Sequence, residues 1–331
     1  METEELVVRY AGAPEGLTYL LPHVKDHFFT EVTETEERRV GSPQALTDPQ
    51  DADILLSGAP LEQIRALPAD RSVVAPFRIH MICDVRGGAE EAFNRVAAKE
   101  RRNIRRCLRQ QGYTYTFATG DDAFIAFYDE MYLPTMDVRH SKQARTVERE
   151  RALHDIFRRG LLMLVSDRDG TAVGGAACRV DRDARTLHVR LMGVRGGDVG
   201  LLKLGVVRAT YGFLIQWAAE NDFDWMDLQG CEPFLTKGTM QSKSLLGARA
   251  VIPDIPLGRL ALRLQPVRDT PAVRTSLVRN PLLIHGEDGA SVGVGYFQDA
   301  TRSPRTDLPH PKLGVEFVRH LDLDELFTPG T

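Results

Sequence analysis

Hydrophobic positions recur along this chain in two rhythms. Between residues 89 and 111 apolar side chains return every three or four positions, at Phe93, Ala97, Ile104 and Leu108 with Cys107 alongside, which predicts a single amphipathic helix over that span. Tyr113 to Thr119 alternates as a strand, and Asp121 to Tyr132 predicts a helix whose opening acidic residues suit its N-terminus. The polar stretch PTMDVRHSKQART reads as a loop leading into a helix over 146–159. LLMLVSDRDGTAVGGAACRV and ARTLHVRLMGV supply strands joined by Asp- and Gly-bearing turns. Residues 201–219, LLKLGVVRATYGFLIQWAA, are apolar nearly all round and predict one buried helix; DWMDLQG predicts a strand and TMQSKSLLGA a short helix or turn. Signals are weaker over the first ninety residues, where LVVRY, DILLSG and SVVAPFRIHMICDV are strand candidates in a small α/β unit. After residue 252 cations and prolines mix without clear period, and this part reads as a lid or as a segment packing back on the N-terminal unit. The pattern as a whole is α+β or mixed α/β, in three regions: 1–90, 91–252 and 253–331.

Length and composition narrow the class. A chain of 331 residues exceeds the usual size of one core, and 43% hydrophobic with 27% charged residues is ordinary globular material. No apolar run approaches the roughly 18 to 20 residues of a membrane helix, and METEELVVRY lacks the cationic and apolar regions of a secretory signal, so a cytoplasmic protein is expected. Cys83, Cys107, Cys178 and Cys231 are scattered, with no spacing that points to a metal site or a disulfide framework. A net charge of -4 argues against indiscriminate nucleic-acid binding but leaves room for a local basic patch. Residues 99–109 form one, with six cations. On a helix, Arg95, Lys99, Arg102, Arg106 and Arg109 fall in one stripe opposite the apolar face, and Glu100 is the single acid among them. Such a ridge is either a solvated face or the place where a polyanion docks.

Around this helix the segments RRNIRRCLRQQGYTYTF, FYDEMYLPTMDVRH, DGTAVGGAACRV, YGFLIQWAAENDFDWMDLQG and KSLLGA follow one another in an order that resembles the acyltransferase domain of Fem-type peptidyltransferases and their GNAT-like relatives. The resemblance covers residues 95–250 and implies a GNAT-fold acyltransferase domain, with residues 1–90 as a degenerate GNAT-like half before it. It implies transfer of an acyl or aminoacyl group to an amine, from aminoacyl-tRNA or acyl-CoA as co-substrate, with no tightly bound cofactor. tRNA is then a partner, and the acceptor is the amine of a small molecule, a peptide or an envelope precursor. The long helical arm of some Fem-type enzymes has no counterpart here.

Candidate chemistry follows from what amide formation needs: a positioned neutral amine, a proton acceptor and a stabilised oxyanion. Lys243 in KSLLGA resembles the family's lysine near the reacting ester, with Lys237 a competitor and candidate donor contact. Period-two alternation in TLHVRLM puts His188 and Arg190 on one face and Leu187, Val189 and Leu191 on the other, which makes His188 a candidate base. Asp227 matches the family's strand-end aspartate, and Glu232 follows it. Arg139, His140, Arg190 and Glu232 are candidate acceptor contacts; Lys99, Arg102, Arg106, Arg109 and Arg195 are candidate donor contacts. In VRGGDVGLLKLG, Arg195, Gly196, Gly197 and Gly200 resemble the GNAT turn that cradles a pyrophosphate on free amides. Asp198 stands where phosphate would sit and is better suited to cap a helix, which tilts the expectation toward aminoacyl-tRNA.

Overall fold

The structure, a computed structural model, describes residues 5–29, 31–32, 34–36, 43–69, 71–140, 146–308 and 313–328. Its largest sheet has seven strands: β1 (Ile79–Asp84), β2 (Thr114–Ala118), β3 (Gly160–Ser166), β4 (Ala172–Asp181), β5 (Thr186–Val194), β6 (Trp225–Cys231) and β7 (Arg249–Val251), in the order β7-β1-β6-β5-β4-β3-β2. Strands β2 to β5 form an antiparallel run, whereas β5 and β6 are parallel and joined by helices. This is a mixed α/β architecture, as the pattern predicts, with a parallel pair next to an antiparallel meander.

The chain divides into two compact units, each discontinuous in sequence: residues 1–81, 230–244 and 249–331 in the first, and 82–229 and 245–248 in the second. Boundaries at 90 and 252 therefore do not coincide with them. In the first unit Leu260–Pro266 lies between Ile54–Pro60 and Val73–Pro76 and pairs antiparallel with both, so a segment from beyond residue 252 is an inner strand. Beneath it Phe77, Phe234, Leu262, Leu264 and Ile54 form a water-free core.

In the second unit α1 (Ala89–Arg95) and α2 (Ala98–Gln111) are separate helices, not the one helix over 89–111 that the pattern predicts. Val96 and Ala97 are extended, and the Ala97 N–H donates to the Leu245 carbonyl at 2.9 Å instead of continuing the helical ladder. Arg95 consequently leaves the stripe and binds Glu91 and the Arg86 carbonyl. Helix α3 (Asp121–Phe127) runs through a π turn at Tyr128–Tyr132 into α4 (Leu133–His140), so the expected loop around Arg139 and His140 is helical. A proline ends most helices because it lacks an N–H and crowds the carbonyl four residues back. The wider π turn just before Pro134 relieves that conflict. The helix expected at 146–159 is α5 (Arg149–Asp155) followed by a 3-10 turn at Phe157–Arg159.

The helix expected at 201–219 is likewise two, α6 (Val199–Leu204) and α7 (Val206–Glu220). Gly205 separates them at φ +90°, a conformation costly for any residue with a Cβ. An added Cβ there would also lie 3.1 Å from the Cys107 Cβ, and one at Gly212 would lie 2.6 Å from Ile104, so α2 and α7 pack through glycines.

Candidate active site

Strands β5 and β6 pair over three residues only: Thr186 with Trp225, Leu187 with Met226 and His188 with Asp227. Beyond His188 they part, and the point of divergence carries the two ionisable side chains. Asp227 is 3% exposed and its Oδ2 accepts the His188 Nδ1–H at 2.9 Å. The Gln229 N–H donates to Asp227 Oδ1 at 2.7 Å and the Gln229 side-chain amide to Oδ2 at 3.1 Å. The first of these closes a tight local turn and holds Gln229 at φ +67°, a left-handed backbone that a non-glycine residue adopts at a cost. With Nδ1 donating to a fixed carboxylate, Nε2 is the atom of His188 that carries the lone pair. His188 is partly exposed, with 25% of its side chain accessible.

Local sequence accounts for the strand geometry. At the start of β5 the Asp181 carboxylate accepts the Ala184 N–H at 2.9 Å, and Arg185 turns the chain at φ +46°. Register then shifts between Ala177 and Cys178: Ala177 faces Leu191, Cys178 faces Val189, and Arg190 is an extra residue. That β-bulge overturns strict alternation through the strand, because Leu191 joins the core of Phe124, Tyr128, Met131 and Tyr132 instead of continuing the Leu187–Val189 face. Bulges re-aim side chains and break the ladder, and this one lies two residues from His188.

At the far end of β5 the turn Arg195–Gly197 places Gly196 and Gly197 at φ +59° and +63°. Asp198 caps α6: its Oδ1 accepts the N–H groups of Gly200 at 2.5 Å and Leu201 at 3.3 Å. Amides at a helix N-terminus are donors an anion can use, and here the Asp198 carboxylate takes them. Arg195 donates to the Ala172 carbonyl at 2.6 Å and lies 3.7 Å from Glu130. Thr135 on α4 exchanges hydrogen bonds with the Val194 N–H and carbonyl at 2.8 and 3.1 Å, which ties the π-turn helix to the end of the strand.

On α2, Lys99, Arg102, Arg106 and Arg109 are all exposed, and among the described residues no carboxylate lies within ion-pair distance of them. Glu100 is spent elsewhere: it is buried and accepts the Arg208 guanidinium of α7 at 2.5 Å. Arg139 is exposed on α4; His140 closes that helix, and its side chain lies outside the described residues.

The remaining candidates lie in the first unit. Glu232 is 2% exposed and pairs with Arg78 at 3.0 Å and Lys237 at 3.1 Å, so two residues expected to contact different substrates contact each other. Lys243, on α8 (Gly238–Ser244), has its Nζ 3.5 Å from the Gly230 carbonyl. Of the three residues expected to carry the chemistry, His188 and Asp227 are brought together within the second unit. Sequence reasoning missed Gln229, which buttresses Asp227, and Arg179, directly across the ladder from His188; the second could have been found only from the β4–β5 register.

No protein-family model matches the chain, and no curated protein matches it. Among solved structures it is similar to FemX, with a TM-score of 0.44 and 11% identity, over 68% of this chain and 74% of that one. It is also similar to L-PGS from Bacillus licheniformis, with a TM-score of 0.39 and 11% identity over 67% and 71% of the two chains. A GCN5-related N-acetyltransferase from Sphaerobacter thermophilus gives a TM-score of 0.35 and 14% identity over 66% and 62%.

Proposed function

We propose that the protein is an N-acyltransferase that forms an amide bond between an activated acyl or aminoacyl group and an amine. The observation that carries this reading is the His188–Asp227 pair at the divergence of two parallel strands, beside a bulge that interrupts the ladder. In the reaction the amine nitrogen attacks the carbonyl carbon of an ester or thioester, the bond to the leaving oxygen or sulfur breaks, and the amine proton passes to His188 Nε2 and on to the leaving group. Asp227 keeps the imidazole in the tautomer that can do this and stabilises the imidazolium that forms. Stabilising the developing oxyanion is the role for which the resemblance makes Lys243 the side-chain candidate.

Aminoacyl-tRNA is the favoured donor. Amides capped by Asp198 suit a CoA pyrophosphate poorly, and the unneutralised ridge on α2 suits a polyanion. The test is incubation with charged tRNA pools and with acyl-CoA mixtures, following which donor is consumed by wild type and by His188→Gln. Loss of the aminoacyl ester, slowed about a hundredfold or more in the variant, is expected. Consumption of acyl-CoA alone would reassign the donor, and turnover unaffected by His188→Gln would overturn the mechanism.

A further inference from the structure

Two guanidinium groups stand beside the His188–Asp227 pair. Arg179 on β4 lies directly opposite His188 in antiparallel register, and directly opposed residues share a face of the sheet. Arg179, His188 and Asp227 therefore form one row across three adjacent strands. Arg190 is the bulged residue two positions along from His188. Both arginines are exposed, and among the described residues neither has a carboxylate within ion-pair distance. Elsewhere in this unit arginines outside the α2 ridge are commonly paired: Arg149 with Asp129, Arg158 with Asp121, Arg185 with Asp224. Part of the Arg190 side chain is shielded by its neighbours, and this, with repulsion from Arg179 and Arg151 against attraction from Asp227, lowers its pKa, while a guanidinium stays charged at neutral pH.

Like charges gathered on one face cost stability unless something anionic answers them, and a guanidinium fork matches a carboxylate or phosphate in two parallel hydrogen bonds. We propose that Arg179 and Arg190 form the subsite for an anionic group on the acceptor, so that the substrate is an amine bearing a carboxylate or a phosphate a few bonds from its nitrogen. Opposed side chains in a strand pair start about 5 Å apart. An anion held by Arg179 thus leaves the nitrogen of a short molecule within reach of His188 Nε2. Arg190 closes the anion from the bulge side, and the two arginines select acceptors by charge while His188 handles the proton.

The inference rests on the acyl-transfer reading, and a binding experiment separates the two. Glycine and O-phosphoethanolamine, with glycinamide and ethanolamine as their neutral-tailed counterparts, are titrated into the full chain while the His188 ring resonances are followed by NMR. Each anionic probe is expected to bind about tenfold or more tightly than its counterpart, and Arg179→Gln or Arg190→Gln is expected to erase that preference without weakening the counterparts, in keeping with loss of a charge-assisted contact. Arg179→Lys, which keeps charge and loses the fork, should retain part of it. The tighter of the two anionic probes identifies carboxylate or phosphate as the natural group. Equal binding of charged and neutral tails, no binding of either anionic probe, or a preference unchanged in both Gln variants would overturn the subsite. Should the preference behave as expected while no donor is consumed, the acyl-transfer reading fails and the anion subsite stands.

Discussion

Two lysines six residues apart are expected to answer substitution differently. Lys237 neutralises Glu232, a carboxylate with 3% of its side chain exposed that also pairs with Arg78. Lys237→Met removes one partner of that buried charge and should cost about 1–3 kcal/mol, read as a lower midpoint of urea unfolding with little change in single-turnover rate. Lys243→Met should do the reverse and lower the rate roughly a hundredfold at unchanged stability if Lys243 has the proposed role, because loss of an ammonium that stabilises an oxyanion falls on turnover. A larger rate loss at Lys237 would move the role to that residue. His23 supplies a pH test of the first unit. It is fully buried, stacked 4.0 Å from His27 and 4.6 Å from Phe234, and among the described residues its Nδ1 has no hydrogen-bond partner. Burial first, then His27 and Lys237, push its pKa down to about 3, with Glu232 opposing. Since the unfolded chain takes up the proton near 6.5, the contribution of neutral His23 is complete above that pH and is lost as pH falls toward 3. Melting temperatures measured from pH 7 to 4 should therefore fall less steeply in His23→Leu than in wild type; parallel curves would show that His23 is not the group responsible.

Elements were legible in the sequence where one period dominates, and their ends were not. Apolar spacing alone does not separate α1 from α2, because the break at Val96–Ala97 is enforced by a hydrogen bond to Leu245, about 150 residues away. Gly205 did carry a local signal, but a glycine inside an apolar run reads as a tolerated interruption until its φ of +90° is known. The bulge at Arg190 has no sequence signature, which is why alternation placed Leu191 on the face opposite the π-turn core that it joins. Asp198 was readable because capping is local chemistry. Asp198→Ala should cost about 0.5–2 kcal/mol by chemical denaturation; improved CoA binding without destabilisation would show instead that the turn is a phosphate cradle held shut by the carboxylate. On α2 the exposed ridge allows a test of the docking idea. Reversing Arg102 and Arg106 to Glu should weaken binding of charged tRNA and flatten its dependence on salt, since fewer counterions are released. Unaltered affinity and slope would return the ridge to solvent.

At the scale of the molecule, the order of segments in sequence misleads about which of them belong together. The first unit collects residues from before residue 82, from 230–244 and from after 248, and Leu260–Pro266 pairs on both sides with strands made from residues 54–60 and 73–76. Nothing in periodicity reports such long-range pairing, so the last eighty residues read either as a lid or as a segment packing back on the N-terminal unit, and the strand pairing agrees with the second. A chain ended after residue 252 should lose hydrogen-exchange protection throughout Ile54–Pro60 and Val73–Pro76; protection retained there would mean that those strands hold together without their central partner. The same pairing has a consequence during synthesis. About 200 residues separate Pro60 from Leu260, and at about 5–20 residues per second the ribosome needs roughly 10–40 s to make them. For that interval the oldest part of the polypeptide waits, with its apolar strands open to water and to chaperones, for the youngest.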